Sequence, residues 1–271
     1  MMSDLKRILC AALLALPLLA PAAEPEAVGA IIIDDIGYNT VSARRIAAMP
    51  WPLTCAVLPE AVASERAAQI LADADKELML HLPMQGRLGE AREPHVLNIN
   101  MDRHHFRQEV LRQLDRFPRV VGINNHQGSV LTTRQQPMNW LMDELSTIEN
   151  FYVVDSRTAS DSLLQASAQH YQLPNSTRDV FLDHQRNEAY IARQVLEFVR
   201  VAKASGSAIA IGHPYPETLN VLEKALPYFE SEGVRLLPVS QLIRWQMAQK
   251  SSEKEPDPTA VAARHRDTTV Q

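Results

Sequence analysis

Ala30-Ile31-Ile32-Ile33-Asp34-Asp35-Ile36-Gly37-Tyr38-Asn39 is the stretch on which the reading of this chain turns. Its run of β-branched residues, with no polar member to face water, predicts a strand buried on both faces. The run stops at two adjacent carboxylates and a glycine. Burying ionised carboxylates is costly unless they are paired or hold a cation. Two acids at the mouth of such a strand therefore imply either a metal and proton-transfer site or a cap. Adjacent strand residues point to opposite faces, so a local bend must decide whether both acids can serve one site.

Outward from this strand, apolar runs at 28–34, 53–58, 77–82, 119–124, 151–155, 178–182, 207–212 and 234–238 alternate with helical patterns. The helical patterns lie near 40–48, 61–74, 102–116, 137–149, 160–170, 187–204, 216–230 and 239–249. Such alternation predicts βα units and a mostly parallel sheet. Seven to eight units in roughly 220 residues predict an α/β fold, a distorted (β/α) barrel, with an open doubly wound sheet as the alternative. Asp34-Asp35-Ile36-Gly37-Tyr38 lacks the glycine spacing of a phosphate loop, which argues against nucleotide binding. Residues 83–101 show no periodicity and are expected to form a loop over the strand ends.

The 271 residues, 46% hydrophobic and 22% charged, are enough for one sizeable core. Lys6 and Arg7 precede an apolar run over 8–20 and the small residues Ala20-Pro21-Ala22, the pattern of a secretory leader. The expected division is a signal peptide over 1–23, a barrel domain over 24–250 and a disordered polar tail over 251–271. No stable membrane span is expected after cleavage, because the apolar run is short. Loss of 1–23 takes the net charge from −5 to about −6, and no Lys/Arg cluster stands out, which argues against nucleic acid as the partner. Only Cys55 then remains, a core residue with no internal disulfide to form. The periplasm is the expected compartment.

The chemistry collects at the C-terminal ends of the expected strands. These carry Asp34-Asp35, His81, Asn124-Asn125-His126, Asp155-Ser156-Arg157, Asp183-His184 and His213. In a βα barrel those ends converge on one face, where active sites lie. Asp35, His81 and His126 are the expected ligands of one divalent metal, zinc by preference, since one carboxylate and two imidazoles leave a position open for water. Asp34 is the expected base and His213 the expected acid. Asp155 is expected to orient His213, and Arg157 to pair with Asp34 and keep it ionised. Asn125, Tyr38 and Tyr215 are the expected substrate contacts at the rim. Asn124 is read as a turn residue, His184 beside Asp183 as surface, and His104 and His105 as solvated.

These stretches resemble the divergent polysaccharide deacetylase family, a distant branch of the carbohydrate esterases with the NodB-type fold. The residues that carry the resemblance are Ile32-Ile33-Asp34-Asp35-Ile36-Gly37, Leu80-His81-Leu82-Pro83-Met84, Gly122 through Ser129, Val154 through Thr158, Val180 through Asp183 and Ala208 through Thr218. Carried over from the NodB-type enzymes, Asp34 is the base and Asp35 a metal ligand, and His213 matches the final motif. Their second motif is His-x-x-x-His. His81 matches its first member, Gln85 occupies the second position, and His126 is the expected replacement. Their Arg-x-Pro motif is absent, and Arg157 is the expected stand-in.

The resemblance implies a metal-dependent hydrolase that removes N- or O-acetyl groups from a cell-envelope polysaccharide. The alternative is a catalytically inactive relative that binds a glycan or an envelope partner. Aromatic residues are only 6% of the chain, which is thin provision for a sugar-stacking platform.

Overall fold

A computed structural model describes residues 27–87 and 95–252. The expected leader, residues 88–94 of the expected loop and all but the first two residues of the expected tail lie outside the described residues. Among the described residues nine strands form one parallel sheet: β1 (Ala27–Ile36), β2 (Thr54–Val57), β3 (Glu77–Met84), β4 (Gly122–Gln127), β5 (Tyr152–Asp155), β6 (Asn175–Thr177), β7 (Val180–Phe181), β8 (Ser207–Gly212) and β9 (Val234–Leu236). The helices are α1 (Thr40–Ala48), α2 (Ser64–Asp73), α3 (Arg103–Asp115), α4 (Gln135–Leu145), α5 (Leu164–His170), α6 (Glu188–Ser205), α7 (Pro216–Ser231) and α8 (Val239–Ser252). Each expected helix is present, and α8 runs two residues into the expected tail. Only β6 was not anticipated from sequence. Its Asn-Ser-Thr carries no apolar signal, and it exists through its pairing with β5.

The hydrogen-bonded order is β6-β5-β4-β3-β2-β1-β8-β7, with β9 also on β1. The sheet curls until its ends meet at a seam. There Arg178 N–H bonds Asp155 O at 3.0 Å and the next residue, Asp179, bonds Ile209 O at 2.9 Å. One dipeptide thus bonds to β5 on one side and to β8 on the other. The result is the distorted barrel that the alternation predicts, closed by a bridge rather than by a continuous ladder.

Strand periodicity sorts the core into two layers. Val28, Ala30, Ile32, Ala56, Met79, Tyr152, Val154, Ile209 and Ile211 belong to one cluster inside the barrel, which Val239, Leu242 and Ile243 of α8 close from below. The alternate residues Ile31, Ile33, Cys55, Val57, Leu78, Leu80 and Ile123 pack outward against the helices. Full burial of such side chains stabilises by about 1.5–3 kcal/mol each, which is why β1 carries apolar residues on both faces. Among the described residues no helix is long and apolar enough to cross a membrane.

Candidate metal and acid–base site

The inward parity of each strand, carried past its last apolar residue, delivers the site. On β1 the series 28, 30, 32 continues to Asp34. On β3 Met79 continues to His81, on β4 Gly122 to Asn124 and His126, and on β8 Ile209 and Ile211 to His213. Asp35 has the wrong parity and would face the helices. Instead its backbone turns into the left-handed region at φ 55°, and the β1–β2 register shifts between Ile33 and Ile36. An irregularity of this kind re-aims a side chain at a strand end. Gly37, at φ 137°, completes the turn where a Cβ would collide with the Ser64 hydroxyl. Both adjacent acids therefore reach one site.

Asp35, His81 and His126 form a compact triangle. Asp35 Oδ1 lies 3.3 Å from His81 Nε2 and 3.2 Å from His126 Nδ1, and the two nitrogens are 3.1 Å apart. Zinc bound at 2.0–2.1 Å by four tetrahedral ligands has ligand–ligand edges of about 3.3 Å. Asp35 Oδ1 is buried and accepts no well-aligned hydrogen bond, so its lone pairs remain available to a cation. Among the described residues this is the one group of three such side chains whose ligand atoms all lie within 4.8 Å of one another. The expected ligand set is thus assembled, and its chemistry fits a divalent metal.

A chain of hydrogen bonds orients that set. His81 Nδ1 and Asn124 Oδ1 are 2.7 Å apart, and Asn124 Nδ2 donates to Asp34 Oδ1 at 2.7 Å. With Nδ1 donating to Asn124, His81 presents its Nε2 lone pair to the triangle, as a metal-ligating histidine needs. Asn124 is fully buried. It joins His81 to Asp34 from within β4, not from the turn that sequence suggested.

Electrostatics separate the two aspartates. Burial raises Asp34, against the opposing charges of His81 and His213. Burial would also raise Asp35, but the His126 and His81 imidazoles outweigh it and hold that carboxyl well below the ordinary range. Burial works against the His81 proton, yet Asp34 and Asp35 hold the imidazole above its usual value. Two carboxylates pushed apart in this way suggest different roles, one taking a proton and one remaining an anion.

Two expected contacts are replaced by others. The acid that orients His213 is Asp183, not Asp155. Asp183 Oδ1 lies 3.0 Å from His213 Nδ1, and Oδ2 accepts His213 N–H at 2.6 Å and the Thr218 hydroxyl at 2.8 Å. The reason is parity: Phe181 faces the barrel interior beside Ile211, so Asp183 falls beside His213, whereas Asp155 follows outward-facing Val153. Asp155 instead accepts the Arg157 N–H at 2.7 Å. Burial lowers His213, but the Asp183 bond and the nearby carboxylates lift it to about 9. Likewise, among the described residues Arg157 makes no ion pair with Asp34, whose partners are Asn124 and His81.

The remaining residues divide between pocket and scaffold. A pocket of about 640 Å³ is bounded by Asp34, His81, His126 and His213 on one side and by Arg157 and Arg178 on another. Asn125 lines it, but its amide is engaged by Gln127 O, Thr158 and Ser156 N–H. Tyr215 stacks on His213 at 5.3 Å, and the Arg186 guanidinium lies 4.1 Å over its ring. Its ring is therefore engaged by His213 and Arg186. Tyr38 is 50% exposed beside the β1 turn and does not line the pocket. His184 is exposed on the pocket, and His104 and His105 are solvated as expected. Gln85, in place of the second motif histidine, accepts the Ile99 N–H at 2.9 Å and pins the loop.

The chain is thus a curled parallel βα barrel with a carboxylate–imidazole cluster at its C-terminal rim. Residues 31–243 match the family model described as divergent polysaccharide deacetylase, and the chain belongs to that family. It is 34% identical over 214 residues to the uncharacterized protein YibQ of Escherichia coli, covering 79% of this chain and 66% of that one, just under two thirds of the relative's length. It is similar in fold to the uncharacterized protein ATU2773 of Agrobacterium tumefaciens, with a TM-score of 0.76 at 20% identity over 80% of this chain and 89% of that one. It also resembles BA3943, a CE4 family pseudoenzyme of Bacillus anthracis, with a TM-score of 0.53 at 12% identity over 80% of this chain and 66% of that one.

Proposed function

We propose that this chain is a periplasmic, metal-dependent deacetylase that removes N- or O-acetyl groups from a cell-envelope polysaccharide. The observation that carries the reading is the Asp35–His81–His126 triangle, with edges of 3.1–3.3 Å, beside a separate base and acid. The leader pattern over 1–23 supports export. Asp35 Oδ1, His81 Nε2 and His126 Nδ1 would hold the ion, with zinc the preferred occupant. Such an ion, when bound, lowers the pKa of a coordinated water toward about 7.

The chain's own groups supply the proton transfers. Asp34, raised by burial and tethered by Asn124, takes the proton from the attacking water at its carboxylate. His213 points Nε2 toward the metal set, 3.9 Å from Asp35 Oδ2, while Asp183 holds Nδ1. In the metal-free chain the Asp183 bond and the nearby carboxylates lift its pKa to about 9, which favours the protonated imidazole that donates from Nε2 to the departing amine or alcohol. An amine leaves poorly without that proton, so the raised pKa favours an N-acetyl substrate.

A second reading is supported by the Gln85 departure and by the likeness to a pseudoenzyme: a retired barrel that binds glycan. Elemental analysis of the purified chain beside His81→Ala and His126→Ala separates the two. Near-stoichiometric divalent metal, lost in both variants, with acetate released from an acetylated glycan panel, is the expected result. Absence of metal after refolding with zinc overturns the deacetylase reading.

A further inference from the structure

The groups that would hold metal and move protons leave the seam side of the pocket unexplained. That side carries Arg157, where β5 ends, and Arg178, on the bridge between β6 and β7. Both line the pocket. Arg157 is exposed, and its backbone sits in the left-handed region at φ 53°. Arg178 fixes it there: its Nε donates to Ser156 O at 2.8 Å and its Nη2 to Arg157 O at 3.2 Å, with the guanidinium 5.1 Å over the Phe181 ring.

Several arginines outside the pocket find carboxylates. Arg45, Arg103, Arg107, Arg112, Arg116 and Arg200 each contact an acid at 3.0 Å or less. Among the described residues Arg157 and Arg178 form no such ion pair. The acids in the field of Arg178 are Asp34, Asp155 and Asp179. Asp155 gives an oxygen to the Arg157 N–H, and Asp179 gives one to Ile209 N–H at 2.8 Å. Burial, and then the Arg157 charge beside it, hold Arg178 below the usual guanidinium value. Two guanidiniums thus line one concave site, one of them bonded only to neutral carbonyls and neither to a carboxylate, and they leave donors for an anion. A guanidinium fork matches the oxygens of a carboxylate or phosphate.

We propose that Arg157 and Arg178 form an oxyanion-binding subsite, so that the glycan accepted by this pocket carries a carboxylate or phosphate near the acetyl group to be removed. The anion subsite stands on the pocket itself; its place beside an acetyl group rests on the deacetylase reading above.

The test is calorimetry on the metal-loaded chain, Arg157→Gln and Arg157→Lys, with inorganic phosphate, an oligogalacturonide and a neutral N-acetylglucosamine trimer as probes. The Arg157 side chain is exposed, and a matching thermal midpoint checks that the variants fold. The expected result is that an anionic probe binds wild type about tenfold more tightly than the neutral trimer. That preference falls about tenfold in Arg157→Gln, is partly kept in Arg157→Lys, and weakens with added salt. Stronger binding of the oligogalacturonide assigns a carboxylate-bearing glycan, and stronger binding of phosphate a phosphorylated one. Phosphate and uronate that bind Arg157→Gln as they bind wild type sit elsewhere, on the metal for example, and overturn the proposal. A neutral trimer that binds as tightly as the anions does the same. Anion binding that depends on Arg157, with no acetate released from any glycan, sinks the deacetylase reading and leaves the subsite standing. Acetate release indifferent to Arg157 does the reverse.

Discussion

The barrel holds a polar cluster at each end, and the two follow opposite rules. At the N-terminal end Glu77 Oε1 accepts from the Tyr152 hydroxyl at 3.0 Å, Thr54 Oγ1 at 3.0 Å and Ser240 N–H at 3.1 Å. Thr54 in turn accepts Val239 N–H at 3.0 Å, so the cluster ties the start of α8 to three strands. Burial, reinforced by Glu77, pushes the Tyr152 hydroxyl well above its ordinary value, so it remains a donor at any physiological pH. One acid there meets several donors. At the C-terminal end three carboxylates, Asp34, Asp35 and Asp183, and three imidazoles crowd together, and Asp35 Oδ1 is buried without a well-aligned hydrogen bond. A cluster that closes its hydrogen bonds stabilises the fold. One that crowds titratable groups around a bare acceptor gives up stability for chemistry.

The largest expected contrast is between Asp34→Asn and its counterpart below. Asp34→Asn should lower acetate release about 10³-fold, while the urea midpoint stays level or rises, because a buried charge has been removed. A midpoint that falls steeply would make Asp34 a structural residue. Glu77→Ala should do the opposite, costing about 2–3 kcal/mol in urea unfolding by leaving buried donors unpaired, with metal content unchanged. Metal lost from the folded Glu77→Ala protein would erase the distinction between the two ends.

A smaller effect is expected at Asp183. In the metal-chelated chain the His213 imidazole should titrate near about 9, and in Asp183→Asn its pKa should fall toward the ordinary 6.5. The sign follows from linkage: a raised imidazole pKa contributes stability that is complete below about 6.5 and is lost as pH rises through about 9. Asp183→Asn should flatten that loss, and an unchanged NMR titration would remove Asp183 from its role. The smallest effect is expected for Gln85→His. It restores the usual motif but gives up the bond to Ile99 N–H. Metal content should stay the same, since His126 already completes the triangle, with under about 1 kcal/mol lost in stability. A gain of metal would show that His126 is not a sufficient ligand.

Much of this architecture was legible from residues alone. Alternating apolar runs and amphipathic segments located every helix and all but one strand, because burial on a period is written locally. The exception, β6, has no apolar pattern and is held by its neighbour. The Asp35–His81–His126 cluster was legible too, since strand-end acids and imidazoles converge in any parallel barrel. Asp183 could have been read from the same signal: it lies two residues past inward-facing Phe181, opposite His213, where Asp155 has the wrong parity. Asn124 could have been found likewise, as the inward neighbour of His126.

The sequence by itself determined the βα alternation, the burial of β1 on both faces and the chemical kinds gathered at one rim. It also determined the family, because the motifs around Asp34, His81 and His213 are contiguous. Only the tertiary structure decided which groups meet. The left-handed turn at Asp35, the exchange of Asp155 for Asp183 behind His213 and the pairing of Arg157 with Arg178 at the seam join residues from distant strands. Their contacts depend on register, bulge and curl, and those follow from the packing of the whole sheet rather than from any local run of residues.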